Sequence, residues 1–212
     1  MGDLALVDSK DRLGFAELVY GTIFSPAVTF ARVSRENHLF NGFIIFLTVT
    51  LLSYVVNFLN ARNYYDLLPR LSEPIIAVIP YLGILATVST FLFWFIQAGI
   101  LQVFAELLGG KGNALQILTV LALAGIPKVF AVPFQVLGAF LPGPVATIVP
   151  AIVVILLGWS VALIVIGLRE VHGISMGRAV AVLVIPIGVL SLVFLIIAVS
   201  MVGFLIPLIN NV

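Results

Sequence analysis

Cysteine is missing from this chain of 212 residues. Disulfides, thiolate metal sites and cysteine nucleophiles are therefore excluded. Charge is scarce too: Asp, Glu, Lys and Arg make up 9% of the residues and nearly cancel to a net +1. Nucleic-acid binding needs clustered basic residues, so no nucleic-acid partner is expected. Only two histidines occur, His38 and His172. The first forty residues lack a basic segment followed by an apolar core and a small-residue cleavage site. No cleaved signal peptide is expected, and the first span must itself direct insertion.

Apolar residues fill the space that charge leaves. They make up 62% of the chain, and the mean hydropathy is +1.28. Stretches 37–61, 74–105, 129–168 and 179–212 carry no charged residue, and 113–127 is uncharged until Lys128. A span needs roughly 20 apolar residues to cross about 30 Å of hydrocarbon. Too little polar surface remains for a soluble domain. The expected fold is all-α: a polytopic membrane protein with five transmembrane helices and short amphipathic N-terminal helices.

Pro142-Gly143-Pro144 is the strongest turn signal and divides the longest run in two. The expected spans are about 40–59, 79–108, 114–137, 147–168 and 179–206, following a segment 1–38. Span one ends in an aromatic and polar interface from Asn60 to Asp66, and Pro69 and Pro74 mark the next loop. Gly109, Gly110 and Gly112 with Lys111 form the turn between spans two and three, and Arg169 to Arg178 reads as a polar loop. In the first segment, Leu13, Phe15, Leu18, Val19 and Ile23 share one face of a short helix. Ser25 and Pro26 read as N-cap and first position of a second helix reaching about Arg35. Its apolar residues suit attachment to a membrane surface.

Basic residues set the orientation. With five spans, Lys10, Arg12, Arg32, Arg35, Lys111, Arg169 and Arg178 fall on one side, and only Arg62 and Arg70 on the other. The N-terminus is therefore expected in the cytoplasm and the C-terminus outside or in a lumen.

The polar residues inside the spans are the candidates for function. An ionisable residue within a span is a functional hypothesis by default, and Lys128 is the sharpest case. At about 1.5 Å per residue it lies roughly 9 Å from the outer interface. It either snorkels there or is held among polar groups of other spans. Trp94 sits at similar depth, with Ser89, Thr90 and Gln97 near it. That places a cation–π or hydrogen-bond contact between spans two and three within reach. Gln102 adds a second amide to span two. Glu106, near the inner end of span two, is expected to pair with Arg169 or Lys111, or else to face headgroup water. Pro127 and Pro133 each remove a backbone donor and should bend span three. Gly158 and Ala162 form a small-xxx-small pair suited to close helix packing.

His38 and His172 with Glu36, Glu106 and Glu170 are candidates for a metal or acid–base site. HExxH, GxSxG and paired-aspartate signatures are all missing, and Gly109-Gly110-Lys111-Gly112 lacks P-loop spacing. Neither enzymatic activity nor a cofactor is expected.

Phe24-Ser25-Pro26-x-x-Thr29-Phe30-x-Arg32 precedes the first span, and Gly125-Ile126-Pro127 lies in the third. Leu168-Arg169-Glu170-x-His172-Gly173-x-Ser175-x-x-Arg178-Ala179 precedes the last. With the Gly-rich turn, these segments resemble prokaryotic members of the Ypt-interacting-protein (Yip) family over about residues 20–206. The resemblance implies five membrane helices and a cytoplasmic N-terminus, in a prokaryotic cell membrane. Eukaryotic relatives are linked to Rab-type GTPases, vesicle traffic and membrane shaping. This chain lacks their long acidic, proline- and tyrosine-containing N-terminal domain, which leaves GTPase binding open.

Two functions follow as expectations. The first is a non-enzymatic membrane protein that organises the bilayer or binds membrane-protein partners, a homo-oligomer included. The second is a small-solute transporter or channel built on the polar residues of spans two and three. Arg169, His172 and Arg178 join Lys128, Gln97, Trp94 and Glu106 as the residues to locate.

Overall fold

The computed structural model describes residues 13–36, 38–65, 73–140 and 144–210. Several expectations lie outside them: Lys10 and Arg12, the loop at Asp66, Pro69 and Arg70, and the turn residues Pro142 and Gly143. The elements run in the order α1 (Phe15–Phe24), α2 (Pro26–Val33), α3 (Leu39–Tyr65), α4 (Glu73–Leu107) and α5 (Ala114–Leu123). A 3-10 segment (Ile126–Phe130), α6 (Ala131–Phe140), α7 (Pro144–His172) and α8 (Met176–Asn210) follow. No strand occurs among the described residues. Five helical stretches are long and apolar enough to cross a bilayer: Leu39–Leu59, Tyr81–Leu107, Ala114–Gly138, Ile148–His172 and Met176–Val202.

The third stretch is the centre of the bundle. Buried residues fill 61% of its most apolar window, against 11% for the fifth. The physical cause is its sequence: Ile117 to Ala124 is apolar on every side except Thr119, and such a helix must be covered all round. Helices α3, α4 and α7 pack around α5, and α8 leans on α4 and α7. From Val184 to Val202 α8 exposes nearly every large apolar side chain, as a lipid-facing helix does.

Proline breaks this central span. Pro127 and Pro133 offer no N–H, and the backbone is rewound as a 3-10 segment in which Lys128 N–H reaches the Gly125 carbonyl at 3.0 Å. The close approach on α7 is not where the small-xxx-small pair suggested. Gly158 and Ala162 are both exposed, and open space surrounds the Gly158 Cα. The inward face instead carries Ser160, Leu163 and Gly167, with Gly167 set against Val120. An all-apolar helix gives no polar stripe from which to read its phase.

Three connections gather at one end of the bundle. Helix α4 stops at Gly109, whose φ of +85° only glycine adopts without strain. Gly110 N–H reaches Ala105 O at 2.8 Å and Gly109 N–H reaches Glu106 O at 2.9 Å, a Schellman ending. Helix α7 ends in the same way at Gly173, with Ile174 N–H on Arg169 O at 3.2 Å. The expected loop from Arg169 to Arg178 is thus helical through His172, and only residues 173–175 connect α7 to α8.

Helix α5 opens at the same end with a capping box. Gln116 N–H donates to Asn113 Oδ1 at 3.0 Å, and Asn113 N–H donates to Gln116 Oε1 at 2.9 Å. The Gln116 amide also donates to Ser34 O at 2.7 Å, fastening the end of α2 to the bundle.

Helices α1 and α2 form a hairpin on the flank of α5 and α7. Pro26 does take the first position of α2, but Ser25 makes no side-chain cap; its carbonyl accepts from Thr29 N–H instead. The hairpin spends its best apolar face on protein rather than lipid. Leu18, Phe30 and Val33 are buried among Val120, Leu123 and Leu163. A different set, Phe15, Tyr20, Phe24 and Val28, points outward.

Candidate functional site

Lys128 stands near the middle of the broken span, and it lines a cavity of about 500 Å³. The cavity lies where α3, α4, α5 and α7 diverge around the 3-10 segment. One wall is apolar, with Phe46, Phe93, Trp94 and Leu121. The other is polar, and its residues come from helices far apart in sequence: Thr50 and Asn57 from α3, Gln97 from α4, Ser160 from α7. A second recess of about 160 Å³ shares Ser53, Asn57 and Lys128 with the first and adds Gln135. A charged side chain at mid-membrane costs roughly 3 kcal/mol or more, so one that persists belongs on a polar surface.

The polar wall is only partly satisfied. Ser53, Thr87 and Thr90 donate their hydroxyl protons to carbonyls one turn back on their own helices, at 2.8, 2.9 and 3.0 Å. Ser160 is buried, and its hydroxyl has no partner. Among the described residues Lys128 has no carboxylate within ion-pair distance. No Asp or Glu lines either recess among the described residues.

Trp94 is brought to the same cavity but not onto Lys128. Its ring stacks on Phe46 with centroids 4.2 Å apart and an interplanar angle of 10°. Its Nε1–H donates to Leu118 O at 3.2 Å. The expected link between spans two and three therefore exists, through a backbone carbonyl of α5 instead of the lysine. Gln97 lines the cavity and is exposed.

The remaining candidates assemble at the end where the connections gather. The buried His172 ring accepts from Gly112 N–H at Nδ1, 3.1 Å, and its carbonyl accepts from Lys111 N–H at 3.2 Å. With Nδ1 accepting, the neutral ring carries its proton on Nε2, which is buried without a partner. Gln102 bridges Glu106 Oε1 at 2.6 Å and Gly112 O at 2.9 Å. Arg178 donates from Nη1 to Leu108 O at 3.4 Å.

The proposed Glu106–Arg169 pair does not form. Arg169 lies 3.4 Å from Glu170, its own helix neighbour, and Glu106 is engaged by Gln102. The extra turn of α7 explains this: as part of a helix, Arg169 is held away from α4 with its side chain half exposed. Glu106 is not paired with Lys111 either. His38 lies beside Glu36 at 3.0 Å, apart from His172, and no group of three metal-ligating side chains occurs among the described residues. This end is a structural clamp made of backbone carbonyls, one imidazole, the amides of Gln102, Asn113 and Gln116 and the Arg178 guanidinium.

Sequence reading missed Thr50, Asn57 and Ser160 at the cavity and Gln116 at the clamp. Asn57 was the findable one, an amide two residues from the end of span one. Ser160 was hidden because serine is ordinary in membrane helices, where it bonds to its own backbone.

A family model described as the Yip1 domain matches residues 20–199, most of the chain. No curated protein and no solved structure matches it.

Proposed function

Since the chain belongs to the Yip1-domain family, we propose that it is a non-enzymatic membrane protein that organises the bilayer around it through the α1–α2 hairpin. One observation carries this reading. The hairpin is fixed to the bundle by Leu18, Phe30 and Val33, yet it presents Phe15, Tyr20, Phe24 and Val28 outward, 46–66% exposed. Tyr20 and Phe24 form a ring pair at 4.5 Å on successive turns of α1. Arg32 is exposed on α2, and Arg35 just beyond it. Aromatic rings beside arginines suit the headgroup layer of a leaflet with anionic lipid. A rigid wedge in one leaflet widens that leaflet and bends the membrane. By the count of basic residues that leaflet is the cytoplasmic one.

Purified protein reconstituted into liposomes is expected to narrow or tubulate them, as seen by electron microscopy. Tyr20→Ser with Phe24→Ser should abolish the effect while the helical spectrum is kept. Vesicles indistinguishable from protein-free ones would sink the reading.

The cavity favours a second reading, a small-solute carrier or channel. Its expected result is solute flux into proteoliposomes that Lys128→Ala reduces tenfold or more. Flux indifferent to that change removes Lys128 from any transport mechanism.

A further inference from the structure

We propose that the Lys128 cavity is a binding site for an amphiphilic oxyanion, its anionic head on Lys128 and its apolar part against Phe93 and Trp94. The inference rests on the second reading only in using the same cavity; it concerns binding, not movement.

Charge selects the class of ligand. The recess holds one cation and no carboxylate among its lining residues. Lys128 is itself exposed, and an ammonium that faces hydrocarbon or a recess within the span is stabilised by an anion or a dense set of acceptors. Among the carboxylates whose side chains are described, Glu17, Glu36, Glu106 and Glu170 lie at the clamp end or on the hairpin side, and none is paired with Lys128.

Hydrogen bonding points the same way. Donors not used by the protein face the recess: the Lys128 ammonium, the Asn57 and Gln97 amides and the Ser160 hydroxyl. The Ser160 hydroxyl is the independent sign. Its residue is 5% exposed, it lines the cavity, and it lacks the bond to its own helix that Ser53, Thr87 and Thr90 all make. Buried polar groups are normally satisfied, so an unpartnered one at a cavity wall marks where a ligand atom sits. An oxyanion offers acceptors to donors of this kind, and its charge-assisted bond to an ammonium is a strong one.

Shape and lining supply the amphiphilic character. About 500 Å³ is the size of a small-molecule site, and it holds a headgroup with a short apolar portion rather than a whole lipid. Phe46 and Trp94 are stacked on each other, so the apolar wall is rigid and ready-formed.

Two sources share this chemistry, an anionic lipid entering from the bilayer and a soluble organic phosphate. The test is thermal unfolding of the full chain in a neutral detergent. One arm adds phosphatidylglycerol or, as the control, phosphatidylcholine. The other adds n-hexyl phosphate. Saturating ligand is expected to raise the wild-type midpoint by about 5 °C in at least one arm. Lys128→Gln should remove the shift, Lys128→Arg should keep it, and Ser160→Ala should reduce it.

A response to phosphatidylglycerol alone assigns the lipid source, and one to hexyl phosphate alone assigns the soluble source. An equal shift with phosphatidylcholine overturns the proposal. So does a shift that survives Lys128→Gln but is lost on Arg32→Gln with Arg35→Gln, since the anion then sits at the hairpin. No shift in either arm overturns it too. Binding without flux defeats the carrier reading alone; flux without anion binding defeats this inference alone.

Discussion

Trp94→Ala is expected to destabilise the protein by about 3–5 kcal/mol, the range for removing a large buried aromatic ring. The side chain is only 3% exposed and belongs to the core that joins α4, α5, α7 and α8. Its ring lies flat on Phe46, and its N–H holds Leu118 O across the α4–α5 contact. In a bilayer the loss is chiefly of dispersion contacts, because lipid is as apolar as the side chain removed. The void left behind would also open into the existing cavity, where no neighbouring helix can collapse onto it. Trp94→Phe keeps the stack and loses the hydrogen bond, so its cost should be about 1–2 kcal/mol. Unfolding in detergent, followed by helical circular dichroism, measures both. A cost below 1 kcal/mol for the alanine variant would show that the stack does not hold α4 to the bundle.

The fold was legible because membrane residence is written in long runs rather than in fine pattern. Charge-free stretches and the turn signal at Pro142-Gly143-Pro144 were enough to give five helices, and Pro127 and Pro133 to expect a bend in the third. Helix phase was not legible. On α7 nothing in the apolar sequence distinguishes the outward Gly158 and Ala162 from the inward Ser160, Leu163 and Gly167. Helix ends were misread where polar residues continue a helix: Arg169 and Glu170 look like a loop but precede the glycine that stops α7. The site was half legible. Lys128 stands out as a charge in an apolar run, and Gln97 and Trp94 were placed near its depth. The cavity depends on Thr50, Asn57 and Ser160 from other helices, and no spacing rule connects residues on separate spans. The charged pairs drawn from sequence, Glu106 with Arg169 or with Lys111, failed because depth alone does not fix which way a side chain faces.

Gly112→Val is expected to cost about 3 kcal/mol, and its reason lies wholly in the packing of the clamp. A Cβ at this position meets Val171 Cγ1 at 2.7 Å, Val171 O at 2.8 Å and His172 Nδ1 at 3.0 Å. Two of these neighbours cannot yield. Val171 O is backbone near the end of α7, and the imidazole is enclosed and held by the Gly112 N–H itself. Valine would push the turn off α7, breaking the bonds from Gly112 N–H to Nδ1 and from Lys111 N–H to His172 O. A buried imidazole nitrogen left without its donor accounts for roughly 1–3 kcal/mol of this cost. Glycine is thus required at 112 for contact distance, in contrast to Gly109, where positive φ demands it. The two causes separate experimentally. His172→Ala opens space beside residue 112 and should lessen the penalty of Gly112→Ala, so the double variant costs less than the sum of the singles. The same His172→Ala change leaves the strain of Gly109→Ala untouched, and those two costs should add. Strict additivity for the 112–172 pair, measured by unfolding in detergent, would mean that the turn does not rest on the imidazole.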